Sequence, residues 1–223
     1  MSEVFSNAPA PAYRLVPSRF PPIGLFDTVA TAADLEAVMD LVGWTNDRIV
    51  AERLARLPQA EWVYGSPNAS VVMAAFLHVA PGGLRFNGGD LGAWYAAAAL
   101  TTAAIEVAHH LRREAVARGA RTLMRKFRTY TSVLAGDYLD IRGQQAARPE
   151  VYASDSYAAS QMFGESLRDA GGAGAIFDSL RHTGGTNVAV HRPRNILDVT
   201  QADHFALTVQ AGETLIELRR LVS

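Results

Sequence analysis

The chain has 223 residues, 49% of them hydrophobic and 19% charged, with a formal net charge of -1. This length suffices for one full hydrophobic core, and the near-neutral charge excludes nucleic-acid binding through a broad basic face. Cysteine is absent, so disulfides, thiolate metal sites and cysteine nucleophiles are excluded as well.

In chain order, residues 1–12 read as a loose Pro- and Ala-rich arm. Tyr13 to Val16 forms a short strand closed by Pro17, and Arg19 to Phe26 is an extended loop broken by Pro21, Pro22 and Gly24. Thr31 with Asp34 opens a helical stretch whose Leu35, Val38, Met39 and Val42 repeat at helical spacing. A second helix follows through Ile49, Leu54 and Leu57, with Trp44 between the two. These two helices, at about 31–57, read as an insertion or side-packed layer in a single domain over residues 1–223. SVVMAAFLHV is apolar almost throughout and fits a buried strand or a short buried helix; Pro67 and Asn68 in front offer a helix entry, which favours helix for its first half.

Leu84–Asn87 and Ala93–Ala96 are then strand candidates joined by a turn at Gly88, Gly89 and Asp90. A helix from about Thr101 to Arg118 buries Ala104, Val107, Ala108, Leu111 and Ala115 and stops at Gly119. Its other lane, with Thr102, Glu106, His109, His110 and Arg113, reads on its own as a wetted face. Leu123 to Leu134 and Gly136 to Ile141 are strands, and a helix capped near Ser154 or Asp155 ends at Gly171 and Gly172. AIFDSL and VAVHRP are further strands, and the tail from His204 to Leu221 is a hairpin. Mixed strands and helices without regular alternation predict an α+β fold with helices packed around a curved sheet.

Chemistry concentrates in GGLRFNGGDLGAWY and the helix after it. Arg85 in a glycine-rich bend offers a rigid fork of donors for a pyrophosphate or ribose, and Trp94 and Tyr95 offer flat rings. Glu106, a lone acid among alanines, could hold a ribose hydroxyl and favour positive charge at an anomeric carbon. Ser179 stands beside a second Gly-Gly loop. No phosphate-loop, dinucleotide-fold, nucleophile-elbow or HExxH motif occurs. His109 and His110 are adjacent and diverge around a helix, so no metal is expected. This set is compatible with cleavage of a nucleotide N-glycosidic bond.

Four segments resemble the RES-domain family of toxins from bacterial toxin–antitoxin pairs: YRLVPSRFPPIG, GGLRFNGG, WYAAAALTTAAIEVAHH and IFDSLRHTGGTNVAVHRP. The resemblance implies an ADP-ribosyltransferase-like core, with a curved, split β-sheet and packed helices, and NAD as a consumed substrate. Carried over by residue, it implies Arg85 on the NAD phosphates or ribose, Tyr95 lining the nicotinamide pocket, Glu106 on the nicotinamide ribose and Ser179 shaping the pocket. It further implies cofactor contacts from Arg14, Arg19, Phe86, Asn87 and Asn187. The spacing from Tyr95 to Glu106 and the helices near 31–57 resemble a longer subgroup.

The expected activity is therefore cleavage of the nicotinamide–ribose bond with transfer of ADP-ribose to a protein. Alternatives are NAD hydrolysis or phosphorolysis, a non-enzymatic nucleotide-binding module, and an interaction protein in which Arg85 and Glu106 form an internal salt bridge. The expected partners are an Xre-like antitoxin covering the active site, a protein acceptor and a second copy in a homodimer, with neither nucleic acid nor membrane. The start of the chain carries no basic region followed by an apolar run, which makes the cytoplasm the expected location.

Overall fold

The computed structural model describes residues 3–19, 24–37 and 48–222. Val38, Met39, Val42 and Trp44, and the stretch 20–23 of the N-terminal loop, lie outside them. The architecture is a mixed α+β sheet with packed helices. In chain order come β1 (Phe5–Asn7), β2 (Ala12–Pro17), a helical segment α1 described over residues 32–37, α2 (Arg48–Arg56), α3 (Ala69–Leu77), β3 (Trp94–Ala97) and α4 (Leu100–Ala117). They are followed by β4 (Thr122–Leu134), β5 (Asp137–Asp140), α5 (Ala158–Asp169), β6 (Gly174–Asp178), β7 (Thr186–Val190), β8 (Ile196–Gln210) and β9 (Ile216–Leu221). No described helix is long and apolar enough to cross a membrane.

The described strands form one sheet in the order β1-β5-β6-β7-β3-β2-β4-β8-β9, antiparallel throughout except between β5 and β6. Its centre is thinly stitched. β2 pairs with β4 along its whole length and β3 with β7 along its own, yet β2 and β3 share only the pair Tyr13↔Ala97. α4 lies over this junction. Its Ala103, Ala108 and Leu111 pack with Leu15 of β2, Ala97 of β3, Phe127 of β4 and Leu207 of β8.

The largest core joins Leu35, Leu54, Leu57 and Trp62 to Met73 and Phe76 of α3 and to Trp94, Ile176 and Val188 of the sheet. The described parts of the 31–57 stretch are thus packed into the sheet's own core. Thr31 Oγ1 accepts from the Asp34 amide (3.1 Å) and donates to the Asp34 carboxylate (2.7 Å), the start read from the sequence. α3 takes its cap from outside its own sequence. Asn68 stands in the left-handed region, and the Asp27 carboxylate accepts from the amides of Asn68 (3.2 Å) and Ser70 (2.7 Å).

Four local expectations change. The arm contains β1, because Phe5–Asn7 finds β5 as a partner. Leu84–Asn87 is no hairpin strand but a tight turn that closes on itself through a Leu84↔Asn87 bridge. The run after Asn68 is helical to Leu77 rather than in its first half alone. α5 begins at Ala158, later than Ser154 or Asp155; its N-cap Tyr157 makes no capping bond, and the Ala158 amide donates to Ser156 Oγ (3.3 Å).

Candidate functional site

A cavity of about 250 Å³ opens beside the thin β2–β3 junction, between α4 and the segments that follow β5 and β6. β2 contributes Arg14, the 82–89 turn Arg85, β3 Tyr95, α4 Glu106 and His109, and β7 Asn187; Tyr157 and Arg181 come from loops.

Glu106 sits in the lane that reads from sequence as a wetted face. Thr102 of that lane is 1% exposed and Glu106 half-buried; Glu106, His109 and His110 line the cavity, whereas Arg113 remains exposed. Glu106 Oε1 accepts from Ser179 Oγ (2.6 Å) and from Asn187 Nδ2 (2.7 Å). Both donors act on one oxygen, so Oε2 carries no hydrogen bond among the described residues. Ser179 is committed on all sides. Its hydroxyl also accepts from the amides of Arg181 (3.1 Å) and His182 (2.8 Å), while its own amide donates to Gly185 O (2.8 Å). A hydroxyl so engaged orients a carboxylate and is unsuited to attack as a nucleophile.

Arg85 projects from a turn that rests on α5. Gln161 Nε2 donates to Gly82 O (2.8 Å) and Leu84 O (3.0 Å), and Glu165 accepts from the Gly88 amide (2.7 Å). Gly164 permits this approach, since a Cβ there would lie 2.2 Å from Phe86 O. The guanidinium is then fixed from a single segment: it donates to Val151 O (3.1 Å) and Ala153 O (3.0 Å) and lies 4.8 Å from the centre of the Tyr157 ring. Burial lowers the Arg85 pKa, Tyr157 opposes this, Arg181 adds to it and Glu106 opposes it. No ion pair joins Arg85 to Glu106 among the described residues, so the internal salt bridge of the interaction-protein reading is not formed.

Arg14 lies 4.6 Å from the centre of the Trp94 ring and donates to Tyr95 O (3.0 Å). Burial lowers its pKa to about 10, which leaves it cationic at neutral pH. Its Nε is buried without a partner among the described residues, an uncommon condition for a guanidinium. The cavity thus offers three guanidinium groups, Arg14, Arg85 and Arg181, that have no carboxylate partner among the described residues, to an anionic ligand.

The other expected contacts sit elsewhere. Tyr95 lines the cavity, but its hydroxyl accepts from the Phe86 amide and donates to Asn87 Oδ1, both at 2.8 Å, and burial raises its pKa. Phe86 is 1% exposed and packs edge-on against Phe163 and Phe177. Asn87 is fully buried, and neither it nor Phe86 is among the residues that line the cavity. Arg19 is exposed and outside the cavity lining. Sequence reasoning missed Tyr157 and Arg181. Arg181 stood within the quoted IFDSLRH segment, whereas nothing in the local pattern around Tyr157 marks it. Among the described residues no group of three or more His, Asp or Glu side chains could hold a metal ion.

A family model described as RES domain matches residues 53–210. A Sinorhizobium fredii (strain NBRC 101917 / NGR234) protein, uncharacterized protein y4oC, is 33% identical over 79 residues, covering 35% of this chain and 34% of that protein. The chain therefore spans about a third of the length of this curated relative. Among solved structures, the chain is similar to one in the crystal structure of the M. tuberculosis MbcT-MbcA toxin-antitoxin complex. The TM-score is 0.48 and the identity 12%, over 89% of this chain and 86% of that one.

Proposed function

Because the chain belongs to the RES domain family, we propose that it binds NAD in this cavity, breaks the nicotinamide–ribose bond and passes ADP-ribose to a protein acceptor. The observation that carries this reading is the Glu106 carboxylate, oriented through Oε1 by Ser179 and Asn187, in a cavity that also holds Arg14 and Arg85. In it, Arg14 and Arg85 bind the pyrophosphate, and the Tyr95 and Tyr157 rings bracket the nicotinamide end. Glu106 Oε2 accepts from a ribose hydroxyl and faces the positive charge that grows at C1′ as neutral nicotinamide leaves. The cavity is close to the lower end of the range for small-molecule sites, roughly 300–1,000 Å³. It suits the nicotinamide–ribose end, with the adenylate lying toward its open side.

The curved, split sheet of ADP-ribosyltransferases belongs to the same proposal and is supported by the single registered pair between β2 and β3. So does the role of a toxin restrained by an Xre-like antitoxin over the cavity mouth, which rests on the family resemblance. The test is incubation of the purified chain with NAD labelled in the nicotinamide and in the adenylate, with and without cell extract. Released nicotinamide with adenylate label fixed to a protein band supports transfer. Release with soluble product alone reassigns the acceptor to water or phosphate. No release in any arm removes the reading.

A further inference from the structure

His109 stands one helical turn beyond Glu106 on the cavity-facing lane of α4. It lines the cavity just described and also a second one of about 580 Å³, bounded by α4, Leu180, Arg181 and Thr214–Ile216 of the β8–β9 turn. The two cavities share His109, Leu180 and Arg181, so they adjoin along these three side chains. The far wall of the second is pinned by Arg112, whose guanidinium donates to Gln210 O (3.3 Å) and Thr214 O (3.0 Å). The His109 ring makes no hydrogen bond among the described residues and packs edge-on against His110.

We infer that the second cavity is the route by which the acceptor reaches C1′, and that His109 is the base that takes the acceptor's proton. The inference rests on the NAD-cleaving reading above. In the step, the C1′–N bond breaks and its electron pair stays on nicotinamide. As that bond breaks, an acceptor O–H attacks C1′ in the same transition state, the new C1′–O bond forms, and the proton passes to the imidazole. The acceptor class is thus a neutral hydroxyl, either water or an alcohol side chain. A phosphate dianion or a carboxylate arrives with a lone pair free and needs no such base. The ring is unprotonated but a weak base, which suffices because the acceptor O–H turns strongly acidic as it bonds to the positively charged C1′. Burial, followed by the charges of Arg181, His110 and Arg113, lowers its pKa to about 4 against the opposing pull of Glu106. It is therefore neutral at physiological pH.

The experiment measures nicotinamide release and NAD affinity for the full chain and for His109→Ala and His109→Gln, with and without added imidazole and with and without phosphate. The expected result is a fall in kcat of about 10²-fold for both variants at unchanged NAD affinity. Imidazole restores part of the rate to His109→Ala only, which a purely structural role would not produce. Retained affinity certifies the fold, and His109→Gln serves if the alanine variant does not fold. In the active chain, label in soluble ADP-ribose identifies water as acceptor, label on protein that survives hydroxylamine identifies a hydroxyl side chain, and protein label that hydroxylamine releases overturns the inference. Wild-type turnover in both variants overturns the inference while leaving the NAD reading intact, as does turnover that requires phosphate and ignores His109. A wild-type chain that releases no nicotinamide with any acceptor overturns both.

Discussion

Ser179 Oγ donates a 2.6 Å hydrogen bond to Glu106 Oε1, from the loop after β6 to the middle of α4. The same hydroxyl accepts from two loop amides, so one side chain fixes the loop and the carboxylate together. Ser179→Ala should lower kcat for nicotinamide release by roughly tenfold with little change in NAD affinity, the pattern of lost orientation. It should also cost about 1–3 kcal/mol of stability, because the amides of Arg181 and His182 lose their acceptor. Turnover kinetics and a denaturant titration check both.

Glu106→Gln keeps the volume and an acceptor oxygen for Ser179 and Asn187 but removes the negative charge. NAD binding should persist while kcat falls by at least about 10²-fold, as when a charge that stabilises the transition state is removed. Calorimetric binding alongside nicotinamide release decides it, and full turnover by the variant would take Glu106 out of the mechanism.

Tyr157 holds one face of Arg85, and its ring rather than its hydroxyl does so. Tyr157→Phe should therefore leave the KM for NAD nearly unchanged, whereas Tyr157→Leu should raise it by roughly three- to tenfold through loss of the cation–ring contact, worth about 0.5–1 kcal/mol or more where desolvated. Equal effects of the two substitutions would point instead to the hydroxyl.

Tyr95→Phe retains the ring in the cavity and removes the hydroxyl that bridges the Phe86 amide and Asn87 Oδ1. A loss of about 1–3 kcal/mol of stability is expected, because a buried amide is left without its acceptor. Affinity for NAD should fall only as far as the Arg85 turn loosens. Thermal melts with and without NAD separate the two effects.

His191 is 2% exposed, with Nε2 at 3.2 Å from Phe86 O and Nδ1 without a partner. Burial, reinforced by the Arg168 charge and opposed by the Phe86 carbonyl, holds its pKa down at about 3. The unfolded chain binds a proton here at about pH 6.5 and the folded chain does so only near 3. Its stabilising effect is therefore complete above about pH 6.5 and shrinks as pH falls toward 3. Unfolding free energy measured between pH 7 and 4 should decline on acidification, and His191→Gln should flatten that slope.

The sequence by itself determined what is local. Helical spacing located α4 and its buried face, Thr31 and Asp34 opened α1, and Gly119 ended α4 in the left-handed region that favours glycine. The glycine-rich bends and the resemblance to the RES-domain family together picked out Arg85, Glu106 and Ser179 as candidates. What the tertiary structure decided is how these groups are used. Glu106 meets Ser179 and Asn187 through pairings that no periodicity encodes, because each partner comes from a different strand or loop. The Tyr95 hydroxyl bridges the Phe86 amide and Asn87 Oδ1 within the Arg85 turn, which packs against α5 at Gly164. Tyr157 becomes a wall of the site only because the chain after β5 folds back over Arg85. Local pattern records which face of an element is buried; what that face touches depends on contacts between residues far apart in the chain, and only the closed fold fixes them.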